Sequence, residues 1–239
     1  MKKTIREIVN EFLEESKSNL DLAGILEFGS SAYTNKFNDI DLMFISKHKL
    51  VPVKDRLKLI SIVKKFEKKY PEIVFDFGGM GERERKEKYS ITIVFIFQEW
   101  LKMKYNPHDL FFIKLLSMSK NIKVLYGRNP FKQIRVSLTK RHLFEMLDRD
   151  QLALLRSSLD GEKKKLERAR FEFKGFLRAM LIHKGDFKKN DLVKEFRKEY
   201  ENKIPLPKNS KNIIDNKMGK KDFEDILIFM ENCLRFIIK

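Results

Sequence analysis

The sequence contains a single cysteine, Cys233, so the 239 residues cannot form an internal disulfide. The 4 histidines lie far apart along the chain, and no cluster has the spacing of a zinc site. No apolar run approaches the roughly 18 residues that cross a membrane, and the charged N-terminus has no apolar signal-peptide core. These absences predict a cytoplasmic protein that has no membrane partner.

Hydrophobic residues make up 42% of the chain, which predicts a globular protein with a sizeable core. A length of 239 residues allows one large domain or two modest ones.

The net charge of +17 is spread over both halves of the chain. Such a surface attracts polyanions, RNA above all, through counterion release. A lysine-rich and even thermophilic proteome would give the same charge, so both explanations stay open.

The most informative stretch runs from residue 29 to residue 41. Before it, the apolar residues 25–28 predict a buried strand, and after it residues 42–45 predict another. Side chains alternate between the two faces of a strand. We therefore expect Asp39 and Asp41 to share one face while Ile40 and Leu42 point to the core.

Two neighbouring carboxylates repel each other unless a cation lies between them, and Mg²⁺ in proteins is usually held by carboxylates together with substrate phosphates. The Gly29-Ser30-Ser31 turn, one strand earlier, would let backbone N–H groups and a hydroxyl approach those phosphates. The pattern thus predicts a site for a metal-bound nucleoside triphosphate (NTP). The alternative is that the two aspartates are surface residues and the glycine marks an ordinary turn.

This order of strand, Gly-Ser and Asp-Ile-Asp-Leu resembles the nucleotidyltransferases of the DNA polymerase β superfamily, and most closely their small prokaryotic members of the minimal and kanamycin types. The chain departs from the usual pattern in a short connector and in having Tyr33-Thr34 where an Arg-Gly pair often follows. The resemblance implies that Asp39 and Asp41 bind two Mg²⁺ ions and that Gly29, Ser30 and Ser31 bind the phosphates of the NTP.

Asp76 interrupts an otherwise apolar predicted strand at residues 72–79, and an aspartate is almost never buried without a partner. The resemblance implies that Asp76 is the third metal-binding carboxylate, which activates the attacking hydroxyl. Two alternatives stay open. Asp76 could reach solvent or a lysine, or Glu72 could take the third position instead.

The predicted fold is an α+β or α/β nucleotidyltransferase domain over residues 1–137, with a mixed sheet and flanking helices, followed by an all-α helical bundle over residues 138–239. The bundle resembles HEPN domains, some of which cleave RNA with an arginine and a histidine at the spacing of Arg178 and His183. Five residues along a helix correspond to about 140° of rotation, so these two side chains need not share a face. The bundle could also mediate a homodimer.

The predicted activity is the metal-dependent transfer of a nucleoside monophosphate from an NTP to an acceptor hydroxyl, with release of pyrophosphate. The acceptor could be an RNA 3′ end, a protein side chain or a small molecule. The alternative is an antitoxin-like or RNA-binding interaction protein whose nucleotide site is secondary or vestigial.

Overall fold

The computed structural model describes residues 4–32, 34, 37, 39–77, 89–97, 107–118, 122–159, 161–185, 191–200, 202–215, 217–219 and 221–239. The chain divides into two compact units. The first comprises Met1–Lys104 and Ser119–Lys132, and the second comprises Tyr105–Met118 and Gln133–Lys239.

The first unit is a five-stranded mixed sheet with helices on one face. Its described elements are α1 (Ile5–Asn19), β1 (Leu22–Phe28), β2 (Asp39–Ser46), α2 (Val53–Lys69), β3 (Ile73–Phe77), β4 (Tyr89–Ile96) and β5 (Lys123–Gly127). The strand order is β3-β4-β2-β1-β5. β1 runs antiparallel to β2 and β5, whereas β4 runs parallel to β2 and β3.

The core of this unit forms between the sheet and the helices α1 and α2, because each of these elements has one apolar face. Phe12 of α1 and Phe66 of α2 are buried against Phe44 of β2 and Phe75 of β3. The residues of β2 alternate as predicted, with Ile40, Leu42 and Phe44 in this core. The alternate residues of β2 therefore lie on the face of the sheet away from α1 and α2.

The second unit is helical. Its described helices are α3 (Pro107–Met118), α4 (Lys140–Ser157), α5 (Glu162–Lys184), α6 (Leu192–Tyr200), α7 (Ser210–Ile214) and α8 (Asp222–Ile238). The long α5 packs against α4, α6 and α8, and it contributes Phe173, Phe176, Leu177 and Met180 to the core. α5 ends at Gly185, whose φ of 91° is a left-handed conformation that glycine adopts without strain. A short 3₁₀ turn, Pro130–Gln133, precedes α4.

The predicted fold class, a mixed sheet with flanking helices followed by a helical region, is confirmed. The helix α3 groups with the helical unit, where it packs against α4 and α5, although the sequence prediction counted its residues in the first domain. The assignment of two functional domains with a boundary at residue 137 remains a prediction. Within the described part of the chain, no helix has the length and apolar character needed to cross a membrane.

Candidate active site

The Gly-Ser turn and the Asp-x-Asp strand meet at Gly29 and Asp41. Gly29 follows the last residue of β1, and Phe28 pairs with Asp41 in the antiparallel ladder with β2. Gly29 has a φ of +75°, and a Cβ built on it would lie 2.0 Å from Oδ2 of Asp41. Since no side chain fits in that space, glycine at this position lets the Asp41 carboxylate lie directly against the turn.

The three predicted aspartates lie on one face of the sheet. Asp39 and Asp41 are partly exposed, while Ile40 between them is buried on the helix-covered face. In the parallel ladders Asp41 pairs with Thr92 of β4, and Thr92 pairs with Asp76 of β3. Asp41 and Asp76 therefore flank Thr92 in the same row, two strand spacings or about 10 Å apart at their backbones.

Asp76 and Glu72, the two candidates for a third carboxylate, have different positions relative to β3. Asp76 lies within β3 and is partly exposed, and its Oδ1 accepts a hydrogen bond of 2.7 Å from the N–H of Phe77. Glu72 precedes the strand, and its carbonyl accepts from the N–H of Tyr89 at the start of β4. The register thus gives Asp76 a row in common with Asp41, whereas Glu72 lies outside β3.

The turn after β1 is compact. The N–H of Thr34 donates to the carbonyl of Ser30 over 3.1 Å. Ser30 is partly exposed, whereas Ser31 is 1% exposed, and its hydroxyl has no hydrogen-bond partner among the described residues. Of the two serines predicted to contact phosphate, Ser30 is therefore the one whose side chain reaches the surface.

Arg6 and Glu27 anchor this turn, and sequence reasoning did not identify either residue. The guanidinium of Arg6 on α1 donates to Oε2 of Glu27 and to the carbonyl of Ser31, both over 2.7 Å. Glu27 lies on β1 and is 1% exposed, and the contact with Arg6 compensates for the burial of its carboxylate. A lone glutamate within the apolar run 25–28 was the available signal, because a buried carboxylate requires a partner.

Arg178 and His183 line different clefts of the helical unit. Arg178 lines a cleft of about 280 Å³ with Lys174 and Lys211. His183 lines another, of about 330 Å³, with Lys114 and Arg135. The structure thus does not bring the two side chains together in one cleft, which agrees with their separation of five residues along α5.

Comparison with known proteins identifies the fold. No family model and no curated protein sequence matches this chain significantly. Among solved structures, it is similar to the spectinomycin adenyltransferase AAD(9) from Enterococcus faecialis, determined with ATP and spectinomycin. The alignment has 12% sequence identity and a TM-score of 0.59, and it covers 97% of this chain and 100% of that one. The chain therefore has the fold of a nucleotidyltransferase, with a mixed sheet and a C-terminal helical region.

Proposed function

We propose that this protein transfers a nucleoside monophosphate from an NTP to an acceptor hydroxyl and releases pyrophosphate. The observation that carries the proposal is the contact between Gly29 and Asp41, because it joins a turn suited to phosphate with a strand suited to metal ions. The fold shared with an adenyltransferase supports the same reading.

The donor set fits Mg²⁺. Asp39 and Asp41 offer carboxylate oxygens from adjacent positions on one face of β2, and both are partly exposed. The three aspartates are not gathered within 4.8 Å, and Asp76 lies two strands from Asp41. We expect the three aspartates to hold two ions rather than to share one. When bound, Mg²⁺ would neutralise charge that develops on the transferring phosphoryl group.

The turn residues would bind and orient the triphosphate. Gly29 leaves room for the Asp41 carboxylate, so a phosphate that accompanies a metal ion at Asp41 would lie beside the turn. Ser30 would donate a hydroxyl hydrogen bond to a phosphate oxygen. The bonds from Arg6 to Glu27 and to the Ser31 carbonyl would hold the turn in this conformation. Such prior positioning matters because phosphoryl transfer depends chiefly on geometry and electrostatics.

Asp76 would act on the acceptor. The N–H of Phe77 fixes the orientation of its carboxylate. From a position in the row of Asp41, the carboxylate could accept the proton of an acceptor hydroxyl as that oxygen attacks the α-phosphorus. The bond between the α-phosphorus and the bridging oxygen breaks, and pyrophosphate leaves.

A small hydroxyl compound is the acceptor that we propose first, because the similar AAD(9) structure contains spectinomycin together with ATP. An RNA 3′ end and a protein side chain remain the other candidates. The test is to incubate the full chain with Mg²⁺ and each α-labelled NTP, with spectinomycin and other small hydroxyl compounds, short RNAs or a protein panel. Transfer is measured as label in the acceptor and as pyrophosphate released.

We expect transfer to one acceptor class and its loss in Asp39→Asn and Asp41→Asn. Asp225→Asn is a matched control, since Asp225 is an exposed aspartate in the first turn of α8. It should transfer at the rate of the parent. Equal activity of all three variants would contradict the assignment of the site.

A further inference from the structure

A second group of side chains that could bind a metal lies at the opposite end of β1 and β2 from Gly29. Asp21 directly precedes β1, and His48 follows the end of β2 at Ser46. Because Leu22 pairs with Ser46 in the antiparallel ladder, the start of β1 lies beside the end of β2. Asp55 lies in the first turn of α2.

The backbone fixes the positions of these residues. The N–H of Lys47 donates to the carbonyl of Asp21 over 2.9 Å, which closes the ladder beyond Ser46. The N–H of His48 donates to Oγ of the fully buried Ser46 over 3.1 Å. The ends of two strands and the start of a helix therefore carry the three side chains.

The ligand atoms are close enough to share one ion. One atom from each of Asp21, His48 and Asp55 lies within 4.8 Å of the other two, and among the described residues this is the group of three that does so. Nε2 of His48 is 3.2 Å from Oδ2 of Asp21. Tetrahedral zinc ligands at roughly 2.0–2.2 Å from the metal are about 3.3 Å apart, so small side-chain rotations would complete the site.

The burial of the Asp55 carboxylate is a second, independent indication that a cation binds at this site. Asp55 is 2% exposed, and its buried Oδ2 has no hydrogen-bond partner among the described residues. A buried carboxylate oxygen without a partner is costly, and a helix N-terminus compensates for only part of the cost. A cation held between Asp55 and the other two residues would supply the missing partner.

We propose that Asp21, His48 and Asp55 bind a first-row divalent transition-metal ion of the zinc type, with water completing its coordination. Two carboxylates and a neutral imidazole balance a 2+ charge, and imidazole favours zinc over magnesium. The ion would join the start of β1, the end of β2 and α2. It is separate from the proposed nucleotide site, where the ligands are oxygen atoms alone.

The test uses the full chain, without an affinity tag and after treatment with EDTA. Zn²⁺ binding is measured by calorimetry, and Co²⁺ binding by its visible absorbance, which reports the ligand set. We expect one ion per chain at micromolar concentration and a higher melting temperature with Zn²⁺. His48→Gln and Asp55→Asn should each weaken binding by roughly tenfold or more.

Two control variants should bind as the parent does. His108→Gln removes a histidine–aspartate pair that resembles the one between His48 and Asp21 but lies outside the proposed site. In that pair Nε2 of His108 is 3.0 Å from Oδ1 of Asp150. Asp41→Asn tests whether the ion binds at the proposed nucleotide site instead. The proposal is overturned if the parent binds no ion, or if folded His48→Gln binds as tightly as the parent. His48 is partly exposed, so that variant decides the question even where Asp55→Asn does not fold.

Discussion

The carboxylate of Asp41 fills the space that a side chain on Gly29 would occupy: a Cβ there would be 2.0 Å from Oδ2. The two residues come from opposite ends of the stretch that the sequence singled out, and the antiparallel pairing of β1 and β2 brings them into contact. The turn proposed to bind phosphate and the strand proposed to bind metal could thus act on one ligand.

Gly29→Ala should therefore reduce transfer by roughly 100-fold, because it displaces the Asp41 carboxylate by an ångström or more. Gly185→Ala is the matched control. Gly185 also has a left-handed φ, of 91°, but no described atom lies within 4 Å of its added Cβ. Both variants carry a backbone strain of about 1–2 kcal/mol. Equal activity of the two at matched stability would show that the contact with Asp41 has no functional role.

Asp39→Asn and Asp41→Asn should leave the metal-free protein as stable as the parent or slightly more so, because each removes a negative charge from a face that carries three carboxylates and keeps the side-chain shape. Mg²⁺ with ATP should raise the melting temperature of the parent and raise that of the variants much less. Thermal melts in EDTA and in Mg²⁺-ATP measure both effects. A marked loss of stability in EDTA would instead indicate a structural role.

Arg6→Ala should destabilise the protein by roughly 2–4 kcal/mol, because it leaves the Glu27 carboxylate buried and uncompensated. Adding Glu27→Gln should restore part of that loss, since the neutral amide no longer needs the guanidinium. A double-mutant cycle of urea unfolding free energies measures the coupling. Additive losses from the two single variants would contradict an energetic link between the residues.

Glu172 on α5 should make the stability of the helical unit depend on pH. It is 2% exposed, and burial raises its pKa to about 7, with Asp150 adding to the shift and the ion pair with Arg168 opposing it. Between pH 4.5 and 7 the folded protein holds a proton that the unfolded chain has lost. Stability from this group is therefore present below pH 4.5 and is lost as the pH rises through about 7.

The glutamine of Glu172→Gln does not ionise. The unfolding free energy of this variant minus that of the parent should therefore increase from pH 5 to pH 8. The increase should reach up to roughly 3 kcal/mol. Denaturant titrations of both proteins across this range give the difference directly. A constant difference would mean that Glu172 does not titrate there.

Arg178→Ala and His183→Ala should act independently, because the two side chains line different clefts. We expect neither substitution to abolish any RNA cleavage. Their effects on RNA retention should be additive in free energy. Gel-based cleavage and filter binding at several salt concentrations measure these quantities. Loss of an RNA-cleaving activity in either variant would restore the HEPN-type interpretation.

Local patterns in the sequence determined most of the elements and the candidate nucleotide site. The alternation of apolar residues with Asp39 and Asp41 predicted the strand and its two faces, because side-chain direction in a strand has a period of 2. The apolar stripes of α1, α2 and the later helices were equally clear. These properties depend on neighbours within a few positions, so the sequence alone was sufficient for them.

Contacts between distant residues required the tertiary structure. The row of Asp41, Thr92 and Asp76 depends on the register of three strands, which no local pattern specifies. Arg6 reaches Glu27 because α1 packs over β1, and α3 groups with the helical unit although it lies between two strands in sequence.

The sequence also indicated no metal site with histidine, since its 4 histidines lie far apart along the chain. Asp21, His48 and Asp55 are spread over 35 residues, and they come together because antiparallel pairing joins the start of one strand to the end of the next. Sequence determines the faces and lengths of the elements. Packing of those elements decides which polar side chains meet, because that depends on register and on buried area summed over the whole unit.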